Sequence, residues 1–564
     1  MPAPLFASAR RAASAVRRAC FGLAIMAGGT GLARAQPLPE AVLQALQQAQ
    51  VPTEALGAVV LPAAGLARHF SHFSRWGGGW AHQAERVMQP ASTLKLLTSV
   101  VALAQLGPNV RGFTELLTAA PQQGDVLAGD LVLRGGADPE FDLPRLWAML
   151  LDLRQVQGIR EIAGDIVIDR TLFHPARPER DATPFDDRPE FAYNLVPDAL
   201  QLNSHLLQIE LSSEGPGGGV RARALPALPG LQIDASALRL SERPCTEWAA
   251  DWQSPVLGNA AEAAETAEAG EAARAPASGV LRVQLQGGFP KACTQRPSLQ
   301  LLDPLALAER QLRWLWAGLG GQWVGRVRDA EQPSVQPLTA AQQASAQPPL
   351  RPGAAVVVPG VARAGHPLAT PPGLRLLASH VARPWGELLR TLNKQSSNVD
   401  SRLLYLQLGL AAAADNPGTP TRVLAERAVR QWLAAQRIAA PGLVLDNGSG
   451  LSRTERITPL ALAQVLQAAH RGPWASELRM SLPIAGVDGT LRNRLTNGPA
   501  SGQARLKTGL LRDVVALAGY VSDPQGRPWV LVAFINHDKA VAARPALDAL
   551  VDWVAAGGMA APPR

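Results

Sequence analysis

The stretch Pro90-Ala91-Ser92-Thr93-Leu94-Lys95-Leu96-Leu97 opens an apolar run that closes at Gly107-Pro108. That pattern predicts a helix with Ser92 at its start. Ser92 and Lys95 stand three positions apart, which on a helix puts both side chains on one face. A serine hydroxyl is a poor nucleophile until a base takes its proton. A lysine can be that base when burial or another cation lowers its pKa. The positive end of a helix also favours negative charge developing at Ser92. The plain alternative is a capping serine followed by a surface lysine. Lysine usage bears on the choice. The chain has 54 basic residues but only five lysines: Lys95, Lys291, Lys394, Lys507 and Lys539. Where nearly every cation is arginine, which cannot serve as an amine base, the positions of the lysines carry information.

Two further motifs follow. Ser396-Ser397-Asn398 reads S-x-N, and on its own is an ordinary polar loop before a helix. Lys507-Thr508-Gly509 reads K-T-G; a strand there would offer charge and a hydroxyl to a substrate carboxylate, and Gly509 would let substrate approach the backbone. The order S-x-x-K, S-x-N, K-T-G is the motif set of active-site serine penicillin-recognising enzymes. Two of the five lysines fill its two lysine positions, and Lys394 lies in the middle segment.

With these motifs the chain resembles the low-molecular-mass class C penicillin-binding proteins, bacterial D-Ala-D-Ala carboxypeptidase/endopeptidases. Gly135-Gly136-Ala137-Asp138-Pro139 resembles a Gly-Asp-Pro turn of that family. So do Ile162–Asp169, Tyr193-Asn194 through Asn203, Asp446–Arg453 and Leu482–Leu491 resemble family segments. The 304 positions from Ser92 to Ser396 fit a class that inserts domains between those motifs. The resemblance implies that Ser92 attacks the D-Ala-D-Ala carbonyl, with Lys95 as base. Ser396 would relay a proton, and Asn398 would position substrate and Lys95. Lys507 and Thr508 would bind the terminal carboxylate. The N–H groups of Ser92 and Leu510 would form the oxyanion hole. Asp138 is a candidate for a cationic substrate side chain, with a structural turn as the alternative. β-Lactams would acylate Ser92 and leave slowly. The chain departs from the family at Ser397, often Asp, and at Leu510, often a hydroxyl residue. The second change removes one contact to a substrate carboxylate and bears on the balance of carboxypeptidase and endopeptidase action. A β-lactamase or esterase of the same chemistry, and a non-catalytic wall-binding or β-lactam-sensing protein, are the competing readings.

Composition sets the surroundings. Residues 1–35 carry Arg10, Arg11, Arg17, Arg18, Arg34 and no acid, so the net charge of +8 falls to +3 without them. Such a mature charge gives little reason to expect a nucleic-acid partner. Basic residues to Arg18, an apolar stretch from Ala19 to about Gly31, and Ala33-Arg34-Ala35 read as a secretory signal cleaved near Ala35-Gln36. An uncleaved anchor is the alternative, and Arg17-Arg18 hints weakly at a twin-arginine signal. The expected location is periplasmic, with at most peripheral membrane association, since no later segment gives about 18 uninterrupted apolar residues. Cys20 would leave with the signal. Cys245 and Cys293 remain, an even number for an oxidising compartment, and are expected to pair. They are too few to hold a zinc, and no metal or other cofactor is expected.

The expected fold class is α/β (α+β): a penicillin-binding transpeptidase/β-lactamase-like domain with inserted β-rich domains. Residues 38–115 and 373–560 would build the catalytic domain, 116–175 and 300–372 a second domain, and 176–299 a third holding both cysteines. Ala260–Ala277 reads as a solvated insertion and 330–353 as a linker. Val514–Ser522 and Pro528–Asn536 read as a hairpin, followed by a last helix from about Ala540 to Ala555.

Overall fold

A computed structural model describes residues 37–64, 79–180, 182–214, 218–259, 280–331, 373–413 and 415–559. The signal segment 1–35, the Ala260–Ala277 insertion and nearly all of 330–353 lie outside the described residues.

The expected hairpin forms the centre of a five-stranded antiparallel sheet. Its order is Arg505–Leu511, Val514–Ser522, Pro528–Asn536, Leu56–Pro62, Trp80–His82. Both hairpin strands are continuously apolar, which is what a sheet covered on both faces requires. Successive side chains point to opposite faces. Val515, Leu517 and Leu531 therefore pack on helices Glu40–Gln48 and Arg544–Ala555. Ala516, Ala518 and Phe534 face a helical lobe that includes Lys95–Gln105, Trp385–Gln395, Asn398–Gly409, Thr421–Ala435 and Pro459–Arg471. Small alanines on that face let the Ser92 turn lie close to the sheet. The last helix begins at Arg544 rather than near Ala540, and Pro545 sits in its first turn, where its missing N–H costs nothing.

A second five-stranded sheet runs Val327–Asp329, Ile166–Asp169, Leu131–Gly136, Phe113–Thr118, Arg375–Val381. Helices Leu143–Gln155 and Pro304–Gly318 cover it with Leu146, Leu150, Leu312 and Trp316. Its two strands Phe113–Thr118 and Arg375–Val381 pair with each other, Phe113 opposite Val381 and Thr118 opposite Arg375. The chain therefore leaves the first sheet's layers before Phe113 and returns after Val381, not at 115 and 373. Leu377 and Ala378 bury themselves in the second core, which draws this strand out of the catalytic layers.

Residues 207–299 form two smaller sheets around a third core of Ile209, Leu211, Val283, Leu285 and Phe289. The Cys245–Cys293 disulfide closes this unit. No helix among the described residues is long and apolar enough to cross a membrane.

Candidate active site

Ser92 lies in a single 3-10 turn, Ala91–Leu94, and the α-helix begins at Lys95. The turn holds Ala91 at φ +45°, a left-handed conformation that a residue with a Cβ rarely adopts. Two glycines press against it. A Cβ on Gly450 would stand 1.9 Å from the Ala91 carbonyl oxygen, and one on Gly509 2.9 Å from that of Pro90. Gly509 lines the cleft, and its missing side chain lets the K-T-G strand approach the serine turn.

Lys95 is fully buried. Its Nζ lies 2.9 Å from Ser92 Oγ and 2.7 Å from Asn398 Oδ1, and it also reaches the carbonyl oxygen of Ser449. As an ammonium it donates to all three. Two of these acceptors have no proton to give, so the lone pair of the neutral amine has one useful direction, toward the Ser92 hydroxyl. Burial lowers the Lys95 pKa well below its ordinary value, and Lys507 lowers it further, while Glu455 opposes. The neighbourhood thus supplies what an amine base needs.

The Ser449 carbonyl is held by a loop wound around one carboxylate. Glu455, fully buried, accepts the N–H groups of Asn447, Gly448 and Gly450 at 3.0, 2.8 and 2.8 Å. Burial raises the Glu455 pKa and these amides pull it back. Thr98 and Ser401 hydroxyls donate to the Gly448 carbonyl, tying the loop to two helices. Glu455 was missed from the sequence; its only signal was a lone acid just beyond the Gly-Ser-Gly run.

The S-x-N segment sits between two helices. Ser396 ends one in a left-handed conformation, φ +60°. Ser397 begins the next: its hydroxyl accepts the Asp400 N–H at 3.2 Å. Asp and Ser are both good N-caps, so the departure at Ser397 keeps the local structure. Asn398 also donates to the Tyr193 carbonyl at 3.1 Å, so the inserted segment touches the site. Lys507, fully buried, donates to Ser396 Oγ at 2.7 Å, and burial brings its pKa down to about 7. Lys394 is not part of this cluster. Its Nζ donates to Asp488 Oδ2 at 2.6 Å and to the Leu482 carbonyl at 2.9 Å, pinning the 482–488 turn.

Two cavities meet at Ser92, Ser396 and Leu510. One, about 840 Å³, runs past Thr508 and Gly509. The other, about 500 Å³, runs past Asn398, Phe185 and Tyr193. The Thr508 hydroxyl donates to Thr490 Oγ1 at 2.8 Å. Asp138 lines neither cavity. It is buried, and its carboxylate takes the Glu140 N–H at 2.9 Å, the Thr114 hydroxyl at 3.4 Å and His380 Nδ1 at 2.6 Å. Arg145 Nε donates to His380 Nε2, so Nδ1 carries the proton given to Asp138. With its carboxylate engaged and out of the cleft, Asp138 is a structural anchor of the second sheet and not a substrate contact.

The model of the D-Ala-D-Ala carboxypeptidase 3 (S13) family matches residues 78–351 and 360–556. The chain is 27% identical to an Actinomadura D-alanyl-D-alanine carboxypeptidase over 445 residues, 78% of this chain and 71% of that protein. It is 25% identical to the D-alanyl-D-alanine carboxypeptidase DacB of Haemophilus influenzae over 452 residues, 80% of each. Among solved structures, penicillin binding protein 4 of Haemophilus influenzae shares the fold, with a TM-score of 0.62 at 23% identity, covering 88% of this chain and 93% of that one. The chain belongs to the D-Ala-D-Ala carboxypeptidase 3 (S13) family, among the low-molecular-mass class C penicillin-binding proteins, and is a serine-type D-Ala-D-Ala peptidase.

Proposed function

We propose that Ser92 is the nucleophile of this peptidase and that it acts on peptidoglycan stem peptides ending in D-Ala-D-Ala and on D-Ala cross-links. The observation that carries this reading is the Lys95 amine: among the described residues, the one proton-bearing group bonded to it is the Ser92 hydroxyl. In the first step Ser92 Oγ bonds to the penultimate D-Ala carbonyl carbon and its proton passes to Lys95. The N–H groups of Ser92 and Leu510 receive the oxyanion; Leu510 lies on the sheet's edge strand, where alternate amides stay free of the ladder. The C–N bond then breaks. Because Lys507 donates to Ser396 Oγ, the Ser396 hydroxyl proton points away from it, toward the cavity, where the leaving amine can take it. Ser396 regains a proton from the lysine that holds the first one. Water finally attacks the ester and gives a proton to Lys95, which returns it to Ser92 Oγ as the ester C–O bond breaks. Thr508 holds the terminal carboxylate of the departing residue, and the buried Lys507 sets the local field that favours it.

β-Lactams acylate the same serine and are expected to act as inhibitors. The Ala33-Arg34-Ala35 pattern and the Cys245–Cys293 disulfide support export to the periplasm, an oxidising compartment. Purified pentapeptide and cross-linked muropeptides test the activity: D-alanine or free stems should be released. Release of neither, with rapid turnover of penicillin instead, would favour the β-lactamase reading.

A further inference from the structure

The larger cavity beside Ser92 is lined by no acidic residue, yet four cations face it: Lys394, Arg492, Arg494 and Arg544. Two of the four are neutralised. Lys394 pairs with Asp488, and Arg494 pairs with Asp548 at 2.7 Å. Arg492 and Arg544 have no carboxylate partner among the described residues. Arg494 also donates to the Arg544 carbonyl at 3.5 Å, at the start of the last helix. The same cavity holds Thr508 and Ser396, the groups assigned above to the terminal carboxylate and the leaving amine. It is therefore the leaving-group side of the cleft. Leu510, half-exposed at the junction, offers a peptide carboxylate no hydroxyl.

We propose that Arg492 and Arg544 form an anion-reading subsite for the leaving group, selecting departing amines that carry a second carboxylate beyond the one held at Thr508. This rests on the peptidase reading and extends it. Two unpaired guanidiniums in one cavity suit a carboxylate, which each can grip by a charge-assisted bond. A free D-alanine leaving group has no group to offer them. A cross-linked strand that departs as an acidic peptide does. The subsite thus tilts the enzyme toward cross-link cleavage.

Matched substrates test this. One acyl donor is joined through D-Ala to D-glutamate or to D-glutamine, which differ by one charge at nearly constant shape. The full mature chain should cleave the D-glutamate substrate about fivefold faster in kcat/KM, within the range of partly exposed ion pairs. Added salt should shrink the preference. Arg492→Gln with Arg544→Gln should reduce the ratio to about one, with a thermal melt confirming folding. Equal rates in the unsubstituted enzyme, or a preference that survives the double substitution, would overturn the subsite alone. Cleavage of neither substrate would overturn it together with the peptidase reading.

Discussion

Lys507 lies close enough to Lys95 for its charge to lower the Lys95 pKa, and burial lowers both. The two lysines have opposite needs. In the proposed mechanism Lys95 is neutral when it takes the Ser92 proton, and Lys507 is charged so that its field favours the substrate carboxylate.

A bell-shaped pH profile follows. As pH rises, the pair first loses one proton, which creates the amine base, so kcat/KM climbs. It then loses the second, and with it the carboxylate-binding cation, so kcat/KM falls. Strong coupling makes the two apparent pKa values belong to the pair. With Lys507 brought to about 7, the alkaline limb should begin far below the ordinary lysine range. Rates of D-Ala release across the range decide it. A rise that continues to the ordinary lysine pKa would contradict the assignment. Lys95→Met should lower acylation by on the order of 10³ at every pH.

Glu455 should matter without touching substrate. Glu455→Ala removes the acceptor for four loop amides, so the Ser449 carbonyl should no longer hold Lys95 in place. Acylation by penicillin should fall by about 10². Its acid limb should also move to lower pH, because Glu455 opposes the fall in the Lys95 pKa, a change that loss of stability alone would not produce. Stopped-flow acylation against pH reads both.

Asp138→Asn should behave oppositely. It weakens the bond to His380 Nδ1 and should lower the folding stability by about 1–3 kcal/mol, as for a buried charged hydrogen bond. Penicillin acylation should stay within about twofold. Thermal melts and acylation rates measured on one preparation separate the two effects.

What was legible in the chain follows from how local each requirement is. Ser92, Lys95, Ser396, Asn398, Lys507 and Thr508 stand in short motifs, and folding brings them to one cleft. The hairpin strands were legible because burial on both faces demands unbroken apolar runs. Glu455 and Gly450 were not. Their partners are backbone groups, in Glu455's loop and at Ala91, and a backbone group leaves no mark on composition. Asp138 was left open between a substrate contact and a structural turn for a related reason: its partner His380 is 242 positions away. The strands ending at Thr118 and beginning at Arg375 pair across an even longer separation, so no local pattern marked where the catalytic layers end.

In the proposed mechanism Ser92, activated by Lys95, forms the acyl-enzyme. The direct measurement is mass spectrometry of the intact mature protein after brief exposure to penicillin, followed by mapping of the adduct. One penicilloyl group per chain is expected, on the peptide containing Ser92, and none on Ser92→Ala. An adduct on another residue, or equal labelling of Ser92→Ala, would contradict it.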